Sequence, residues 1–574
     1  MLRKLIRSLV RDRGADGALA QALQSAKRDP AGAEIAFRRA LAAGRDGAEV
    51  YHGLGSALVS QGRFDEGIQA LELAVERDPA NAGYRLALSL ALGAANQQPL
   101  AVIAHLREVM RQRPDIPEIE AHLFSPVRMV CDWDEAERLA AHLTERARVE
   151  PAAVWTRRVF PFDTLLMPIA PELRREVARQ HAARIVSSVG HHEYRGAVTR
   201  SARRLRIGYA SADFRRHATA HLATGLFERH DRARFEVFAY SFRGDDGSTE
   251  RQRLAGAFDR FVDLASHDPR AAAQRIAEDG IDILVDLHGY TRHSRPEIFA
   301  HRPAPIQVSF LGYPGSMQAP YIDYLVADRT VLPESDRQWF SEAIAWMPAS
   351  YQVNDDRLPI DDAIASRSAC NLPEDAFVYC CFNQTQKIER PVFAAWMRIL
   401  AATPGAVLWL FRSDPAAEAN LRAAAARAGI DATRLAFASL LPKAAHLARQ
   451  RFADLFLDTY TCNAHTTASD ALWAGVPVLT RPADSFAGRV AASLVRAVGL
   501  PELAVDRLAD YERLAIALAR DRSRLHDLRE RLAANRATMP LFRTAAYTRH
   551  LELAFEQMWE RRLSGRSPES FAVE

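Results

Sequence analysis

The chain has 574 residues, enough for about three to four domains of roughly 100 to 200 residues each. Its 75 lysines and arginines nearly balance 71 acidic residues, and a net charge of +4 does not indicate a nucleic-acid-binding or membrane-binding protein. The five cysteines lack metal-ligand spacing, which argues against a disulfide framework or a zinc site and favours a reducing compartment. Because no stretch approaches about 18 uninterrupted apolar residues, we expect a soluble, cytoplasmic protein.

The first residues, MLRKLIRSLVRDRG, are basic and amphipathic. Their apolar run is too broken for a secretory signal. The pattern favours a first helix, with transient contact to a membrane surface as the alternative.

From Ala15 to about Arg113 the sequence is rich in alanine and repeats with a period of about 34 residues. The clearest copy has the small and large residues of a tetratricopeptide repeat at Tyr51, Leu54, Gly55, Leu58, Gly67, Leu71, Ala74 and Pro79. One period earlier Phe37 and Ala40 align with this copy, and one period later Leu88, Leu92 and Ala101 do. We predict about three helix pairs stacked into a short solenoid that binds peptide on its concave face, or else a stabilising helical collar.

A different pattern begins at Leu205, after a mostly helical connector without recognisable chemistry. Short apolar runs alternate with helical stretches, which predicts a doubly wound α/β lobe. A second series of such runs begins at Phe377, so we predict two Rossmann-like lobes that face one another. A helical, charged stretch from Leu508 to Met558 is expected to pack across both. The predicted boundaries are a repeat region at 1–113, a connector at 114–200, lobes at 201–355 and 356–540, and a C-terminal helix at 541–574.

The second lobe is organised around Leu455 to Thr480, which predicts a strand, a loop, a helix from Thr467 to Ala474 and a further strand. The start of this helix should accept an anion, most plausibly a phosphate, because unpaired N–H groups and the helix dipole point there. Asp470 follows Thr467 by three residues, so a capping box is an equally good interpretation of that carboxylate. His465 is a ligand candidate or simply a cap or loop residue.

Two further loops of this lobe follow strands and carry cations. Gln384 and Lys387 follow one strand and suit a diphosphate, although a surface lysine is the plain alternative. Lys443 and His446 follow the next, where the imidazole could stack on a base and the ammonium could reach a ribose hydroxyl. Because parallel strands bring their carboxyl ends to one edge, these loops should meet the helix start. Neither lobe has G-x-G-x-x-G after its first strand, which counts against a dinucleotide cofactor.

In the first lobe, His217 and His221 follow a strand with a spacing of four residues. A zinc pair is improbable because no HExxH glutamate or third ligand accompanies them. His217 could orient an acceptor or exchange a proton, and His221 is expected to be structural. The turn Gly312, Tyr313, Pro314 and Gly315 ends another strand and could bring backbone near a sugar.

Together, RIGYASADFRRHATAHL, RPAPIQVSFLGYPGS, FNQTQKI, LPKAAH and DTYTCNAHTTASDALWAGVPVLT closely resemble glycosyltransferase family 41, the protein O-linked N-acetylglucosamine transferases, especially short bacterial members. The resemblance covers about Leu205 to Thr544. It implies a GT-B fold and inverting, metal-independent transfer from UDP-N-acetylglucosamine to serine or threonine hydroxyls of proteins. No cofactor, nucleic-acid partner or stable membrane insertion is expected.

The resemblance also implies roles for individual residues. Lys387 and Gln384 would hold the diphosphate, and His465, Thr466 and Thr467 would bind phosphate and sugar. The remaining implied contacts are His446 with uracil, Lys443 and Asp470 with ribose, Cys462 with the N-acetyl group, and His217 as the base or an acceptor-site residue. The loop reads Asn463-Ala464-His465 where animal members have glycine before the histidine, and Thr385-Gln386 replaces a Leu-Tyr pair.

Two other functions remain open at this point. One is transfer of glucose, to asparagine or to hydroxyls, as in a related branch of the family. The other is a repeat scaffold whose lobes bind a nucleotide sugar without turning it over. Lys387, Lys443, His446 and His465 favour the enzyme.

Overall fold

The computed structural model describes residues 29–95, 98–190, 192, 194, 196, 198, 203–362 and 366–574. The predicted N-terminal helix lies outside these residues. The described residues form two compact units, one reaching to Phe160 and the other from Pro161 to the C-terminus, with Ser266–Asp268 grouped with the first. Among the described residues, no helix combines the length and the apolar character that crossing a membrane requires.

The part of the chain before the first sheet is helical, as the alanine-rich periodicity predicts. Its helices are α1 (Pro30–Ala42), α2 (Ala48–Ser60), α3 (Phe64–Arg77), α4 (Ala82–Ala95), α5 (Pro99–Gln112), α6 (Glu120–Met129), α7 (Trp133–Val149), α8 (Ala152–Trp155) and α9 (Pro171–Val189). Helix α9 belongs to the second unit.

Two glycines of the clearest repeat let helices α2 and α3 approach closely. A Cβ added at Gly55 would lie 2.7 Å from Cγ of Leu71 and 2.8 Å from the carbonyl oxygen of Gly67. A Cβ at Gly67 would lie 2.6 Å from a methyl group of Val59. The repeat therefore needs glycine at both positions, because any side chain would force the helices apart.

The first lobe of the second unit contains an eight-stranded parallel sheet with the order β13-β7-β6-β5-β4-β1-β2-β3. Its strands are β1 (Leu205–Ser211), β2 (Phe235–Ser241), β3 (Arg260–Asp263), β4 (Ile283–Asp286), β5 (Ile306–Ser309), β6 (Tyr324–Asp328), β7 (Ala343–Met347) and β13 (Phe571–Ala572). The intervening helices are α10 (Ala218–Glu228), α11 (Thr249–Gly256), α12 (Pro269–Glu278) and α13 (Pro296–Ala300). Strands β4, β5 and β6 are buried along their whole length, as expected when helices cover both faces of such a sheet.

The second lobe contains a five-stranded parallel sheet with the order β10-β9-β8-β11-β12. Its strands are β8 (Val378–Cys381), β9 (Val407–Phe411), β10 (Leu435–Ala438), β11 (Leu455–Leu457) and β12 (Val478–Leu479). Its helices are α14 (Arg390–Ala402), α15 (Pro415–Arg427), α16 (Lys443–Gln450), α17 (Thr466–Trp473) and α18 (Val490–Ala497).

Three C-terminal helices follow the second sheet: α19 (Leu508–Arg520), α20 (Arg522–Thr538) and α21 (Thr544–Leu563). Helix α19 joins the second lobe, where the hydroxyl of Tyr511 accepts a 3.1 Å hydrogen bond from the indole of Trp396. Helix α21 instead places Leu551 and Phe555 in the core of the first lobe. The C-terminal stretch thus packs on both lobes, as its sequence predicts.

Buried or half-buried polar contacts join the two lobes. Gln352 donates to the hydroxyl of Ser469 at 2.6 Å, and the hydroxyl of Ser493 donates to Asp328 at 2.7 Å. An ion pair of 2.5 Å joins Arg489 to Asp336. Because Asp328 ends strand β6 and Ser469 lies in α17, these contacts set the carboxyl edges of the two sheets opposite each other.

Candidate functional site

In each lobe the strand order reverses at one point, between β1 and β4 in the first sheet and between β8 and β11 in the second. The loops that leave two such strands diverge and open a crevice, which is where ligands bind in sheets of this kind. The loop after β8 carries Lys387, and the loop after β11 leads to His465. The residues predicted for the site therefore lie mainly at the switch point of the second lobe, which is the place where its strand order reverses.

Helix α17 begins at Thr466, one residue earlier than predicted, with His465 at the N-cap position. Among the residues that the structure describes, no side chain caps this end of the helix. The first N–H groups of α17 are therefore free to donate hydrogen bonds, and they lie at the positive end of the helix dipole. An anion bound here would meet both.

The loop before α17 is held by a buried network that the sequence analysis missed. Asp458 accepts hydrogen bonds from the N–H groups of Thr459 and Ala464 and from the hydroxyl of Thr480. Burial raises the pKa of this carboxyl to about 6. Asn383 donates to the hydroxyl of Thr459 at 2.8 Å and accepts from Thr467.

Lys387 lies at the end of a short 3₁₀ turn, Thr385–Lys387, directly after β8. Its Nζ donates a 2.8 Å hydrogen bond to the carbonyl of Asn463 and contacts the thiol of Cys462. Among the described residues it forms no ion pair with a carboxylate. The ammonium therefore brings a positive charge to the loop that leads into α17, where it also lowers the pKa of the buried Asp458.

Gln384 and Cys462 flank this lysine. Gln384 is exposed, and its side-chain carbonyl accepts a 2.9 Å hydrogen bond from Gln386. Cys462 is buried, and burial raises the pKa of its thiol, so it is a neutral group there. The structure brings both residues beside Lys387, as expected for loops that follow neighbouring parallel strands.

Lys443, at the first position of α16, forms an ion pair with Asp470 of α17. The capping-box interpretation of Asp470 is therefore wrong, because its carboxylate points to another helix rather than back to its own N-terminus. Burial raises the pKa of Asp470, and the neighbouring ammonium lowers it. This ion pair joins α16 to α17, the two helices whose starts were predicted to lie at one edge of the sheet.

His446 lies one turn into α16, with its ring edge-on to Phe382 at 5.1 Å between centroids. Its Nδ1 is 3.0 Å from Nη2 and 3.2 Å from Nε of Arg449, so the guanidinium donates to it. Burial, with Arg449 and Lys443, lowers the pKa of His446 to about 3. The imidazole is thus a neutral ring of fixed orientation, and the sequence analysis missed the arginine that fixes it.

His465 is half-buried, and its Nε2 is 3.0 Å from the carbonyl of Ala487, to which it donates. Burial and the charge of Lys387 lower its pKa to about 3. A neutral imidazole with Nε2–H donating leaves Nδ1 as an acceptor.

The switch point of the first lobe brings together Asp213, His217 and His288. Oδ2 of Asp213 is 3.1 Å from Nδ1 of His217 and 3.3 Å from Nε2 of His288. His217 caps helix α10 by accepting from the N–H of Thr219, and half of its side chain is exposed. The sequence predicted His217 here but gave no role to Asp213 or His288.

His288 is a buried residue of the loop after β4. Its Nε2 accepts a 2.8 Å hydrogen bond from the N–H of Ala212, and its Nδ1 is 2.7 Å from the hydroxyl of Thr291. Burial lowers its pKa, whereas the charge of Asp213 raises it. This ring therefore holds the two loops of the switch point together, and its signal in the sequence was its place directly after a strand.

The turn after β5 is built on Gly312. A Cβ at this position would lie 1.9 Å from the carbonyl oxygen of Leu287, so the loops after β4 and β5 touch through backbone alone. Tyr313 is buried against Tyr290, with ring centroids 5.6 Å apart, and Pro314 is buried beside it. These contacts give the turn a packing role; contact of its backbone with a sugar stays a prediction.

Residues of the two lobes interact across the cleft. The charge of Lys443 in the second lobe helps lower the pKa of His221 in the first to about 4, after the larger effect of burial. The start of α10, with His217, therefore faces the start of α16. The described residues contain no group of three or more His, Cys, Asp and Glu side chains that could hold a metal ion.

The scarcity of lysine in the sequence is a further signal that points to this site. The chain is rich in arginine but has only four lysines, Lys4, Lys27, Lys387 and Lys443. The two that fall within the described residues both lie at this cleft. A compact ammonium, rather than a guanidinium fork, is thus what the site uses.

The fold and the site define a two-lobed α/β protein, preceded by helical repeats, in which a lysine and the start of a helix lie at the cleft between the lobes. The model of glycosyl transferase family 41 matches residues 130–362 and 356–551, and a tetratricopeptide repeat model matches 48–81. The chain belongs to glycosyl transferase family 41. The resemblance, the GT-B fold and the clearest predicted repeat are confirmed.

Similar proteins support this assignment. Over 466 residues the chain is 38% identical to a probable UDP-N-acetylglucosamine–peptide N-acetylglucosaminyltransferase of Arabidopsis thaliana, covering 79% of this chain and 48% of that protein. The corresponding Caenorhabditis elegans protein is 28% identical, covering 76% and 48%. A solved structure of a mutant Thermobaculum terrenum O-GlcNAc transferase matches with a TM-score of 0.72 and 27% identity over 98% of both chains. The chain spans about half the length of the two curated relatives.

Proposed function

We propose that this chain transfers N-acetylglucosamine from UDP-N-acetylglucosamine to serine or threonine hydroxyls of proteins, with inversion and without a metal ion. The observation that carries the proposal is the position of Lys387, an ammonium without a direct ion pair among the described residues that is hydrogen-bonded to the loop before helix α17. The names of the similar plant and nematode proteins support the same donor and a peptide acceptor.

The diphosphate would lie between Lys387 and the uncapped start of α17, with Gln384, Thr466 and Thr467 as hydrogen-bonding partners. His446 would stack on uracil, and the Lys443–Asp470 pair would contact the ribose. Cys462 and His465 would line the sugar side. Lys387, Thr467, His446, His465 and the Lys443–Asp470 pair are each already held by a contact within the protein, so little reorganisation of these side chains is needed when the donor binds.

In the reaction, the acceptor hydroxyl oxygen forms a bond to the anomeric carbon as the bond from that carbon to the β-phosphate oxygen breaks. The bonding electron pair leaves with UDP, and the hydroxyl proton passes to a base. Negative charge therefore grows on the diphosphate, where Lys387 and the helix dipole stabilise it. His217, half-exposed on the opposite lobe with its Nδ1 3.1 Å from a carboxylate oxygen of Asp213, would orient the acceptor or receive the proton.

The repeat region would contribute a peptide-binding surface, with a stabilising role as the alternative. The predicted cytoplasmic location and the absence of a cofactor stay predictions. Two other functions are tested alongside the proposal: transfer of glucose, to asparagine or to hydroxyls, and nucleotide-sugar binding without turnover.

The first experiment measures UDP binding to the full chain by calorimetry, followed by UDP release from UDP-N-acetylglucosamine with bacterial lysate as acceptor. Mass spectrometry of the modified peptides then separates N-acetylhexosamine from hexose, and serine or threonine from asparagine. Turnover unaffected by a chelator supports metal independence. Absence of UDP binding contradicts the proposal, and binding without release favours the scaffold.

A further inference from the structure

A second cavity lies beside the candidate site in the same unit. Its lining residues come from α9, from the turn after β5, from the 3₁₀ helix Glu334–Trp339 with Phe340, and from the loop before α18. Aromatic side chains form much of its wall: Tyr313, Trp339, Phe340 and Phe486.

One cation in this cavity lacks an acidic partner. The guanidinium of Arg174 donates only two long hydrogen bonds of 3.4 Å, to the carbonyls of Thr164 and Ile169. Among the described residues, no carboxylate lies within ion-pair distance of it. Burial lowers the pKa of Arg174, Tyr313 acts in the opposite direction, and Arg489 also lowers it. A desolvated charge held only by weak carbonyl contacts is costly unless an anion joins it.

The other charges around the cavity do not neutralise Arg174. Asp336 is already paired with Arg489 at 2.5 Å. Arg175 and Asp484 are exposed and oppose each other in sign. The balance over the charged lining residues Arg174, Arg175, Arg489, Asp336 and Asp484 is thus one positive charge. Glu342 lies behind the lining and accepts hydrogen bonds from Ser316 and from the N–H of Met317, and it forms no ion pair with the half-buried Arg174.

This cavity adjoins the proposed transfer site. Tyr313 and Pro314 belong to both, and Phe486 directly precedes Ala487, whose carbonyl accepts the hydrogen bond of His465. A chain that presents a hydroxyl to the cleft could therefore place a neighbouring side chain in the cavity. A guanidinium fork suits a carboxylate, and aromatic walls suit the methylene stem that carries it.

We propose that this cavity is a subsite for a carboxylate side chain of the acceptor polypeptide, close in sequence to the hydroxyl that is modified. The inference rests on the proposed transferase function and adds an acceptor preference to it. The bound carboxylate would pair with Arg174 and would neutralise the charge that the free protein leaves unpaired.

The test uses peptides with a central serine in which one flanking position is Glu in one member of each pair and Gln in the other. We expect the wild-type chain to prefer Glu at one or more positions by about tenfold in kcat/KM, as a charge-assisted hydrogen bond would give. Arg174→Met should abolish this ratio while leaving UDP affinity unchanged, and Arg174→Lys should retain part of it. The matched control is Arg179→Met, because Arg179 lies on the same helix, is exposed and pairs with Glu176.

The outcomes separate the two proposals. If the wild-type chain binds UDP and modifies the peptides without regard to Glu, or if Arg174→Met keeps the Glu preference, the subsite is wrong and the transferase function stands. If Arg174→Met slows all peptides equally, Arg174 has only a structural role. If the wild-type chain neither binds UDP nor modifies any peptide, both proposals fail. Melting temperatures of the variants confirm that each is folded.

Discussion

Nζ of Lys387 donates a 2.8 Å hydrogen bond to the backbone carbonyl of Asn463, which joins the loops that follow β8 and β11. These two strands flank the point where the order of the second sheet reverses. The hydrogen-bond partner is a neutral carbonyl, and among the described residues no carboxylate forms a direct ion pair with this ammonium, although its charge also lowers the pKa of the buried Asp458. Lys443 differs, because Asp470 already balances it.

Replacing Lys387 by methionine should lower turnover by about 100-fold to 1,000-fold, because a positioned cation is lost where charge develops in the transition state. Lys387→Arg should recover only part of the activity, since the planar fork cannot occupy the place of a compact ammonium. Initial rates of UDP release give kcat and KM for each variant. Near-normal kcat in Lys387→Met would remove this lysine from the mechanism.

The small number of lysines allows a labelling experiment on the wild-type chain. An amine-reactive reagent should modify Lys387 and Lys443, and saturating UDP should protect both, because the diphosphate and ribose would cover them. Mass spectrometry quantifies each modified peptide, with Lys4 and Lys27 as internal references. Equal labelling of the cleft lysines with and without UDP would contradict the proposed donor site.

Much of this cleft could be predicted because strand ends and a helix start leave local signals in the sequence. Thr466, Lys387 and Lys443 each follow an apolar run, and parallel strands bring such loops to one edge. The sequence did not reveal that Asp470 pairs with Lys443 or that Arg449 orients His446. These pairings depend on the relative placement of side chains on helices, which a spacing rule does not supply.

The first lobe shows a similar limit. His217 was predicted from its position after β1, whereas His288 was passed over although it follows β4 in the same way. Strand β13 has two residues and forms only by pairing with β7, which lies more than two hundred residues earlier. Strand β7 was not predicted either. Short elements of this kind owe their conformation to tertiary contacts rather than to a sequence pattern.

Gly312 and Gly315 form a matched pair in the turn after β5. Gly312→Ala should destabilise the protein by about 1–3 kcal/mol and displace the turn, because its Cβ would overlap the carbonyl of Leu287. Gly315→Ala should be tolerated, since its Cβ would lie 3.3 Å from the nearest atom, a ring carbon of Tyr313. Melting temperatures and UDP affinity compare the two, and equal stability would contradict the close backbone approach.

The repeat region offers a second matched pair of glycine substitutions. Gly55→Ala should destabilise helices α2 and α3 by about 1–3 kcal/mol, because its Cβ would press on Leu71 and on the backbone of Gly67. Gly93→Ala, in helix α4, should stabilise the same unit by about 0.5–1 kcal/mol, since nothing lies within 4 Å of its Cβ. Hydrogen exchange of the amides in these helices shows whether each substitution lowers or raises the local stability. Identical effects would mean that the glycines do not set the helix spacing.

His465 should make stability depend on pH in a defined direction. Its pKa is about 3 in the folded chain and about 6.5 when unfolded, so below pH 6.5 the unfolded chain binds a proton that the folded chain does not. The stability that neutral His465 contributes is therefore complete above about pH 6.5 and is lost as the pH falls toward 3.

The variant His465→Gln isolates this effect, because glutamine cannot titrate but can still donate to the carbonyl of Ala487. The unfolding free energy of the wild type relative to the variant should fall by about 1.4 kcal/mol for each pH unit below about 6. Denaturation curves of both proteins across this range measure the difference, and curves above about pH 7.5 provide the baseline, where the difference should be constant. A difference that stays constant down to about pH 5 would show that His465 is not held neutral by burial.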